Sequence, residues 1–216
     1  THRQRGPVLR VYSYRGQQLA RYSLDWLGDE LIIVAGLLPN GKIVLLTSDG
    51  KLDVLKGNGK SCFKRTTIQL PSRCQSAGVI DGLLVTGNLA VLTGDNGLYL
   101  VDGIGSGDYN VRQLQIPFEH KQSPSAWCLF DDGRVVLFFG PKGYVIAQDG
   151  ITISGVEVEG TAFRAVAGDC GRFAVITRED KRCHVFHVDT EDGVKQLIAL
   201  SLPFDLASLI SIHWYS

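Results

Sequence analysis

Two segments contain glycine and lysine at positions that suggest a nucleotide phosphate site. Gly36–Ile43, GLLPNGKI, reads G-x-x-x-x-G-K, and Gly57–Ser61, GNGKS, supplies a Gly-Lys-Ser ending. A P-loop needs backbone N–H groups that converge on the phosphate, a helix behind them, and a Ser or Thr hydroxyl for the metal. Ile43 takes the hydroxyl position in the first segment, and Val54 takes the position of the first glycine in the second. Strand-like sequence follows both, so we predict turns and no cofactor-binding residue.

A third glycine-rich segment, DGIGSGD at Asp102–Asp108, has three alternating glycines after a predicted strand. The dinucleotide-binding fingerprint requires a different glycine spacing and a helix that begins within it. The residues that follow, YNVRQLQIP, alternate as in an edge strand. We therefore predict a loop between two strands.

One cluster of residue types resembles a metal site. It consists of Cys170, Cys183, His184 and His187. Zinc sites take paired ligands at short spacing from both sides of the ion. Cys183 and His187 share one face of a predicted strand, and His184 lies on the other face, because side chains alternate along a strand. We predict packing roles for these residues and no metal site.

Three pairs of adjacent carboxylates could supply general acid and base groups, namely Asp29–Glu30, Asp131–Asp132 and Glu179–Asp180. Glycosidase-type chemistry needs two carboxyl groups that face each other across a cleft, whereas neighbours in a strand or turn point apart. The sequence also lacks a G-x-S-x-G nucleophile motif. We predict no catalytic residue. Three tryptophans are predicted to be blade-packing residues, with an aromatic peptide-binding groove as the alternative for any of them: Trp26, Trp127 and Trp214.

The elements that position all these residues are predicted to be repeated β-hairpins. Four segments share an apolar run, a short turn and a second apolar run: Lys42–Lys60, Leu89–Gly107, Arg134–Gly150 and Arg172–Gly193. Asp-Gly, Asn-Gly and Lys-Gly at the tips favour the positive φ angles of tight turns. The turn residues Gly50, Gly97, Gly143 and Lys181 recur every 38 to 47 residues. Four strands in a period of this length are typical of propeller blades.

The predicted fold is therefore an all-β, WD40-like β-propeller. It has four nearly complete four-stranded blades at residues 31–70, 78–118, 125–159 and 162–203, with partial blades at 6–24 and 205–216. Central strands should be apolar on both faces, and the outermost strand should be more polar. No segment has a sustained 3.6-residue period, although 205–212 is long enough for one or two helical turns. Unpaired edges at both ends lead us to expect residues 1–216 to be part of a larger propeller, with an open array of blades or closure between chains as the alternatives.

The composition of the chain argues against some classes of binding partner and indicates a cellular compartment. Lys plus Arg and Asp plus Glu each number 22, so the net charge is zero, which argues against bulk attraction to nucleic acid or anionic lipid. No apolar run approaches the length of a membrane span. The five scattered cysteines predict a reducing, intracellular compartment. The chain begins at Thr1 and contains no methionine, so we expect a piece of a longer protein, with a processed chain as the alternative.

Several segments resemble, in co-linear order, the family of vacuolar protein sorting-associated protein 16. GPVLRVYSYRGQQLA, Gly6–Ala20, resembles its opening hairpin, and VLLTSDGKLDVL, Val44–Leu55, resembles the next one. LAVLTGDNGLYLV at Leu89–Val101, SPSAWCLFDDGRVVLF at Ser123–Phe138 and ISIHWYS at Ile210–Ser216 follow in the expected order. One departure lies at Gly36, which Leu37 follows where the family usually has a tryptophan.

The resemblance implies a subunit of the HOPS and CORVET membrane-tethering complexes, in which an N-terminal propeller precedes a helical solenoid. It implies a non-enzymatic scaffold, peripheral on endosomal and lysosomal or vacuolar membranes, without direct membrane insertion, without nucleic acid and without cofactors or metals. Its partners would be the other subunits of those complexes. The contact with the Sec1/Munc18-type subunit would lie in the solenoid, outside this chain. No partner-binding residue is assigned by the resemblance.

Two other classes of function remain open from the residues alone. A generic WD40-like adaptor of another multiprotein complex would have the same blade pattern. A propeller hydrolase or lactonase would bring acidic or histidine side chains together from the innermost strands. Those strands contain one acid, Asp81.

Overall fold

The computed structural model describes residues 8–12, 15–27, 29–57, 63–116, 122–189 and 193–202. The chain divides into two compact units, Thr1–Gly82 and Leu83–Ser216. Antiparallel β-sheets make up most of both.

The first unit opens with a two-stranded sheet and continues with a four-stranded one. The two-stranded sheet pairs β1 (Val8–Tyr12) with β2 (Gln18–Ser23), and a 3-10 turn follows at Asp25–Leu27. The first blade contains, in chain order, β3 (Ile32–Leu37), β4 (Ile43–Thr47), β5 (Lys51–Gly57) and β6 (Phe63–Gln69). A short helix, α1 (Ser72–Ala77), comes after it.

Three more four-stranded sheets follow, and each places its strands side by side in chain order. The second blade contains β7 (Val79–Val85), β8 (Asn88–Thr93), β9 (Leu98–Asp102) and β10 (Asn110–Leu114). The third contains β11 (Ala126–Leu129), β12 (Val135–Phe139), β13 (Lys142–Ile146) and β14 (Thr152–Glu157). The fourth contains β15 (Ala162–Ala167), β16 (Arg172–Thr177), β17 (Arg182–Asp189) and β18 (Gly193–Ser201).

The predicted fold class is confirmed, because each four-stranded antiparallel sheet lies within one predicted blade range. β1 and β2 lie within the predicted partial blade 6–24. The other predicted partial blade, 205–216, and the segment 205–212 within it lie outside the described residues.

The burial pattern within the blades follows the predicted gradient. All five residues of β4 are buried, and so are five of the six residues of β8 and of β16. Apolar runs without alternation are expected for strands covered on both faces. The outermost strand β18 is exposed along most of its length, including Leu197 and Leu200.

Aromatic packing joins the third and fourth blades. Phe173 is fully buried, and its ring centroid lies 6.3 Å from those of Phe130 and Phe138 and 5.0 Å from that of Phe186. Such ring pairs add to the free energy of burial when they are offset or edge-to-face. Phe173 therefore lies in the middle of the core that these two blades share.

Two of the predicted turn glycines do not have the backbone conformation expected of them. The positive φ angles occur at Gly50 and Lys181, as predicted, but at Asn96 in place of Gly97 and at Gly140 in place of Gly143. Positions 97 and 143 require glycine for another reason: neighbouring side chains leave no space for a Cβ atom at either position. A Cβ at Gly143 would lie 2.5 Å from Cε1 of Phe138.

Helix α1 was not predicted, because six residues are too few to show a helical period. Its residue Cys74 is fully buried. Across the described ranges, no helix has the length and apolar character needed to cross a membrane.

Candidate functional site

The segment that resembles a P-loop is the turn of the β3–β4 hairpin. The N–H of Leu38 donates to the carbonyl of Lys42 at 2.8 Å, and the N–H of Gly41 donates to the carbonyl of Leu38 at 2.9 Å. The side chain of Asn40 accepts a hydrogen bond from the N–H of Lys42 at 3.1 Å. These hydrogen bonds already engage backbone N–H groups that would have to bind a phosphate. Strand β4 follows the turn, where a P-loop would have a helix. In the second candidate, Gly57 ends β5, and the next residues lie outside the described part.

The glycine-rich segment Asp102–Asp108 is a loop between β9 and β10, as predicted. The carbonyl of Gly103 accepts hydrogen bonds from the N–H groups of Ser106 and Gly107. Its internal hydrogen bonds are those of a turn, and a strand follows it.

Of the four residues that resemble a metal site, Cys183, His184 and His187 lie on two faces of β17, whereas Cys170 lies in the turn before β16 and is exposed. His184 is 3% exposed, and Phe186 lies beside it on the buried face. Cys183 and His187 lie on the other face, as the strand alternation predicted. Within the residues that the structure describes, no three His, Cys, Asp or Glu side chains are placed to hold a metal ion.

The paired carboxylates have separate local contacts. Glu30 forms an ion pair with Lys51, and Asp132 forms one with Arg134 at 2.7 Å. Glu179 accepts a hydrogen bond from the N–H of Thr161, which lowers the pKa of Glu179. Since each of these contacts is local to one blade, the pairs do not build a shared acid–base site. Asp81 on β7 is exposed, and its carboxylate accepts a hydrogen bond from the N–H of Gly82 at 2.8 Å.

The tryptophans do not all have the predicted packing role. Trp127 is 9% exposed and lies in the core between the second and third blades, as predicted. Trp26 is 38% exposed, so the prediction of a buried packing residue is wrong there. Trp214 lies outside the described residues.

Trp26 belongs to a polar cluster that fixes its orientation. The 3-10 turn Asp25–Leu27 is anchored by Leu24 and Leu27, which are 1% and 2% exposed. This anchoring leaves Trp26 at the surface, where its Nε1 donates to Oδ2 of Asp53 at 3.3 Å. Asp53 lies on β5 and is 2% exposed. A buried carboxylate requires such donors to offset its loss of hydration.

Two residues of β6 complete the cluster. Oδ1 of Asp53 accepts a hydrogen bond from the hydroxyl of Thr67 at 2.6 Å and one from Nε of Arg65 at 3.0 Å. The guanidinium carbon of Arg65 lies 5.4 Å from the centre of the Trp26 ring. We call Trp26, Asp53, Arg65 and Thr67 the Trp26 cluster. It holds an aromatic and a cationic side chain at the surface in one fixed arrangement, which lowers the entropy lost when a partner binds.

Threonine–aspartate contacts also stiffen the hairpin turns of three blades. The hydroxyl of Thr47 donates to Asp49 at 2.5 Å, and that of Thr93 donates to Asp95 at 2.6 Å. Thr177 makes the corresponding contact in the fourth blade. Burial acts to raise the pKa of Asp49, but hydrogen bonds from Lys51 and Thr47 outweigh it and lower the pKa to about 2.

The Trp26 cluster could not be identified from the spacing of its residues. Asp53 lies 27 positions from Trp26 and 12 from Arg65, and the contacts depend on the register between β5 and β6. The local signal is Asp53 itself, a charged residue within the buried run Leu52–Leu55 of β5. Such a residue indicates a buried hydrogen-bonded partner.

No protein-family model matches the sequence, and no curated protein sequence matches it. Solved structures do share its fold. Virginiamycin B lyase from Staphylococcus aureus superposes with a TM-score of 0.62 and 12% identity, over 92% of this chain and 64% of that chain. Hsv2 from Kluyvelomyces marxianus superposes with a TM-score of 0.63 and 15% identity, over 92% and 62%. The β-propeller domain of Cps50 (Swd1) from Myceliophteria thermophila gives 0.59 and 12%, over 90% and 66%.

Identities at this level establish the fold alone. The chain spans about two thirds of the length of these structures. The chain therefore has a β-propeller fold of several blades.

Proposed function

We propose that this protein is a non-enzymatic interaction scaffold of a membrane-tethering complex of the HOPS and CORVET type. Its blades would hold binding side chains in fixed positions on the cytoplasmic side of late endosomes and of lysosomes or vacuoles. Its partners would be other subunits of the same complex. The Sec1/Munc18-type subunit would bind outside this chain.

The Trp26 cluster is the observation that carries the interaction role. Tryptophan and arginine are enriched among the residues that dominate protein–protein binding energy. Here both are partly exposed at the surface, and both are held by the carboxylate of Asp53. Because the two side chains are already ordered, a partner that covers them loses little additional side-chain entropy.

The family part of the proposal depends on the sequence resemblance, and the positions of the resembling segments support it. Residues of the first segment lie on β1 and β2, and Val44–Leu55 covers most of the β4–β5 hairpin. Leu89–Val101 covers the β8–β9 hairpin, and Ser123–Phe138 covers β11 and most of β12. Co-linear agreement over successive hairpins is more specific than agreement at any one of them. The fold alone does not separate the classes of function, since a lyase shares it.

The test is affinity purification of the tagged full-length protein followed by quantitative mass spectrometry. We expect recovery of HOPS or CORVET subunits from the unmodified protein. In Trp26→Ala, recovery of at least one subunit should fall by about tenfold, the effect of losing a contact of about 1.4 kcal/mol. The matched control is Tyr109→Ala, which removes an aromatic side chain of similar exposure, 43% against 38% for Trp26.

The results of this experiment test the tethering function and the role of the Trp26 cluster separately. If the unmodified full-length protein recovers no tethering subunit, the tethering function is wrong. If it recovers them and Trp26→Ala recovers the same amounts, the tethering function stands and the Trp26 cluster is not the contact. Thermal unfolding of both variants shows whether a loss of binding reflects a loss of folding.

A further inference from the structure

A β-bulge changes the direction of the chain at the start of β15. In the pairing with β16, Ala162 lies opposite Thr177 and Arg164 lies opposite Ile176, so Phe163 is an extra residue on its strand. Bulges of this kind redirect side chains and are common beside binding sites. The ring of Phe163 is half-buried, and Arg164 next to it is exposed.

Two arginine side chains lie against this one ring. The guanidinium carbon of Arg178 lies 4.9 Å from the centre of the Phe163 ring, and that of Arg164 lies 5.4 Å from it. Cations favour the face of an aromatic ring at such distances. In the part of the chain that the structure describes, neither guanidinium forms an ion pair with a carboxylate. The two positive charges are thus held close together, and the one carboxylate that interacts electrostatically with Arg178, that of Glu179, is not within ion-pair distance.

The backbone around the two arginines is fixed by short-range contacts. The N–H of Arg178 donates to the carbonyl of Thr161 at 2.9 Å, and the N–H of Thr161 donates to the carboxylate of Glu179. Glu179 is the acidic neighbour of Arg178, and it is already bonded to the backbone. The carboxylate of Glu179 is therefore already engaged with the backbone of Thr161.

We propose that Phe163, Arg164 and Arg178 bind an acidic, extended peptide segment of a partner protein. A guanidinium offers a planar pair of donors that matches a carboxylate. The distances of the two guanidinium carbons from the ring centre, 4.9 and 5.4 Å, limit their separation to about 10 Å. Side chains two positions apart on an extended peptide lie ~7 Å apart on one face. One acidic side chain can therefore reach each arginine.

A peptide fits this surface better than a membrane does. Attraction to anionic lipid adds about 1 kcal/mol for each cation near the surface and requires clusters of about four to eight. This surface has two arginines and one carboxylate beside them, so its net charge is too small for that mode. A peptide can place its carboxylates at the arginines alone.

The experiment measures binding of a fluorescein-labelled peptide of alternating Glu and Ser by anisotropy, with the complete protein at low salt. Arg164→Gln and Arg178→Gln are each expected to weaken binding by about threefold to tenfold, and the double variant to abolish it. The matched control is Arg172→Gln, which removes an exposed arginine at the other end of β16. It should bind as the unmodified protein does. A peptide with Gln in place of Glu should not bind.

Equal binding by the double variant, or no binding by the unmodified protein, would overturn the proposal. So would binding to phosphatidylserine vesicles without binding to the peptide. Circular dichroism of each variant distinguishes a lost contact from a lost fold. Because the purified protein and peptide are sufficient, failure here does not bear on the tethering function, and failure there does not bear on this site.

Discussion

The indole nitrogen of Trp26 and the carboxylate of Asp53 are joined by a hydrogen bond of 3.3 Å between residues 27 positions apart. This bond ties the turn after the two-stranded sheet to the third strand of the first blade. Asp53 also accepts hydrogen bonds from two residues of the outermost strand. One buried carboxylate thus holds three elements of the first unit together.

Asp53→Ala should destabilise the protein by about 2 kcal/mol, because it removes the acceptor of the hydrogen bonds from Trp26, Arg65 and Thr67. Denaturant unfolding at neutral pH measures this loss as a shift of the midpoint. Asp29→Ala removes an exposed carboxylate nearby and should change the free energy of unfolding by less than about 0.5 kcal/mol. Equal effects of the two substitutions would show that the Asp53 contacts contribute nothing.

Gly143→Ala should destabilise the third blade. The added Cβ would lie 2.5 Å from Cε1 of Phe138 and 2.6 Å from Cγ1 of Val156. Overpacking of this kind costs about 1–3 kcal/mol. Gly155→Ala on the neighbouring strand is the matched control, since its Cβ would meet nothing closer than a carbonyl oxygen at 3.9 Å. Thermal unfolding of the two variants tests the difference, and an unchanged midpoint for Gly143→Ala would contradict the packing described here.

Asp49 should contribute to unfolding by acid. Its pKa is lowered from 3.8 to about 2 in the folded protein. Its stabilising contribution is therefore complete above pH 3.8 and is lost as the pH falls towards about 2. In Asp49→Asn the free energy of unfolding should fall less steeply over this range than in the unmodified protein. Asp108→Asn, at an exposed loop position, is the control. Parallel pH profiles for Asp49→Asn and the unmodified protein would contradict the prediction.

The cysteines should differ in their rates of alkylation. Cys170 is exposed, whereas Cys128 is buried and its burial raises the pKa of the thiol. Since the thiolate is the reactive form, iodoacetamide should modify Cys170 before Cys128, and Cys128 only on unfolding. Peptide mass spectrometry after timed labelling measures the order. Early labelling of Cys128 in the folded protein would show that the core around it is open.

The blades could be predicted from the sequence because their signals are local. A run such as Ile43–Thr47, a turn ending at Gly50 and a second run after it specify a hairpin without reference to distant residues. The positive φ angle at Asn96, in place of the one expected at Gly97, could not be predicted in this way. It depends on Thr93 and Tyr99, whose atoms occupy the space beside Gly97.

The two candidate binding surfaces could not be predicted, because both depend on the alignment of strands. Trp26 and Arg65 come together only when β5 and β6 place Arg65 on the same face as Asp53. The second surface requires a bulge at Phe163, and nothing in the segment AFRAVA indicates an extra residue. Register and bulges are decided by packing across a whole sheet.

The most direct test of the interaction role is site-specific photocrosslinking in the full-length protein. A benzophenone-bearing phenylalanine replaces Asp29, an exposed residue three positions from Trp26. We predict a covalent adduct with a HOPS or CORVET subunit in cells, and loss of that adduct when Trp26→Ala is also present. Adducts only with proteins outside these complexes, or no adduct at all, would contradict it.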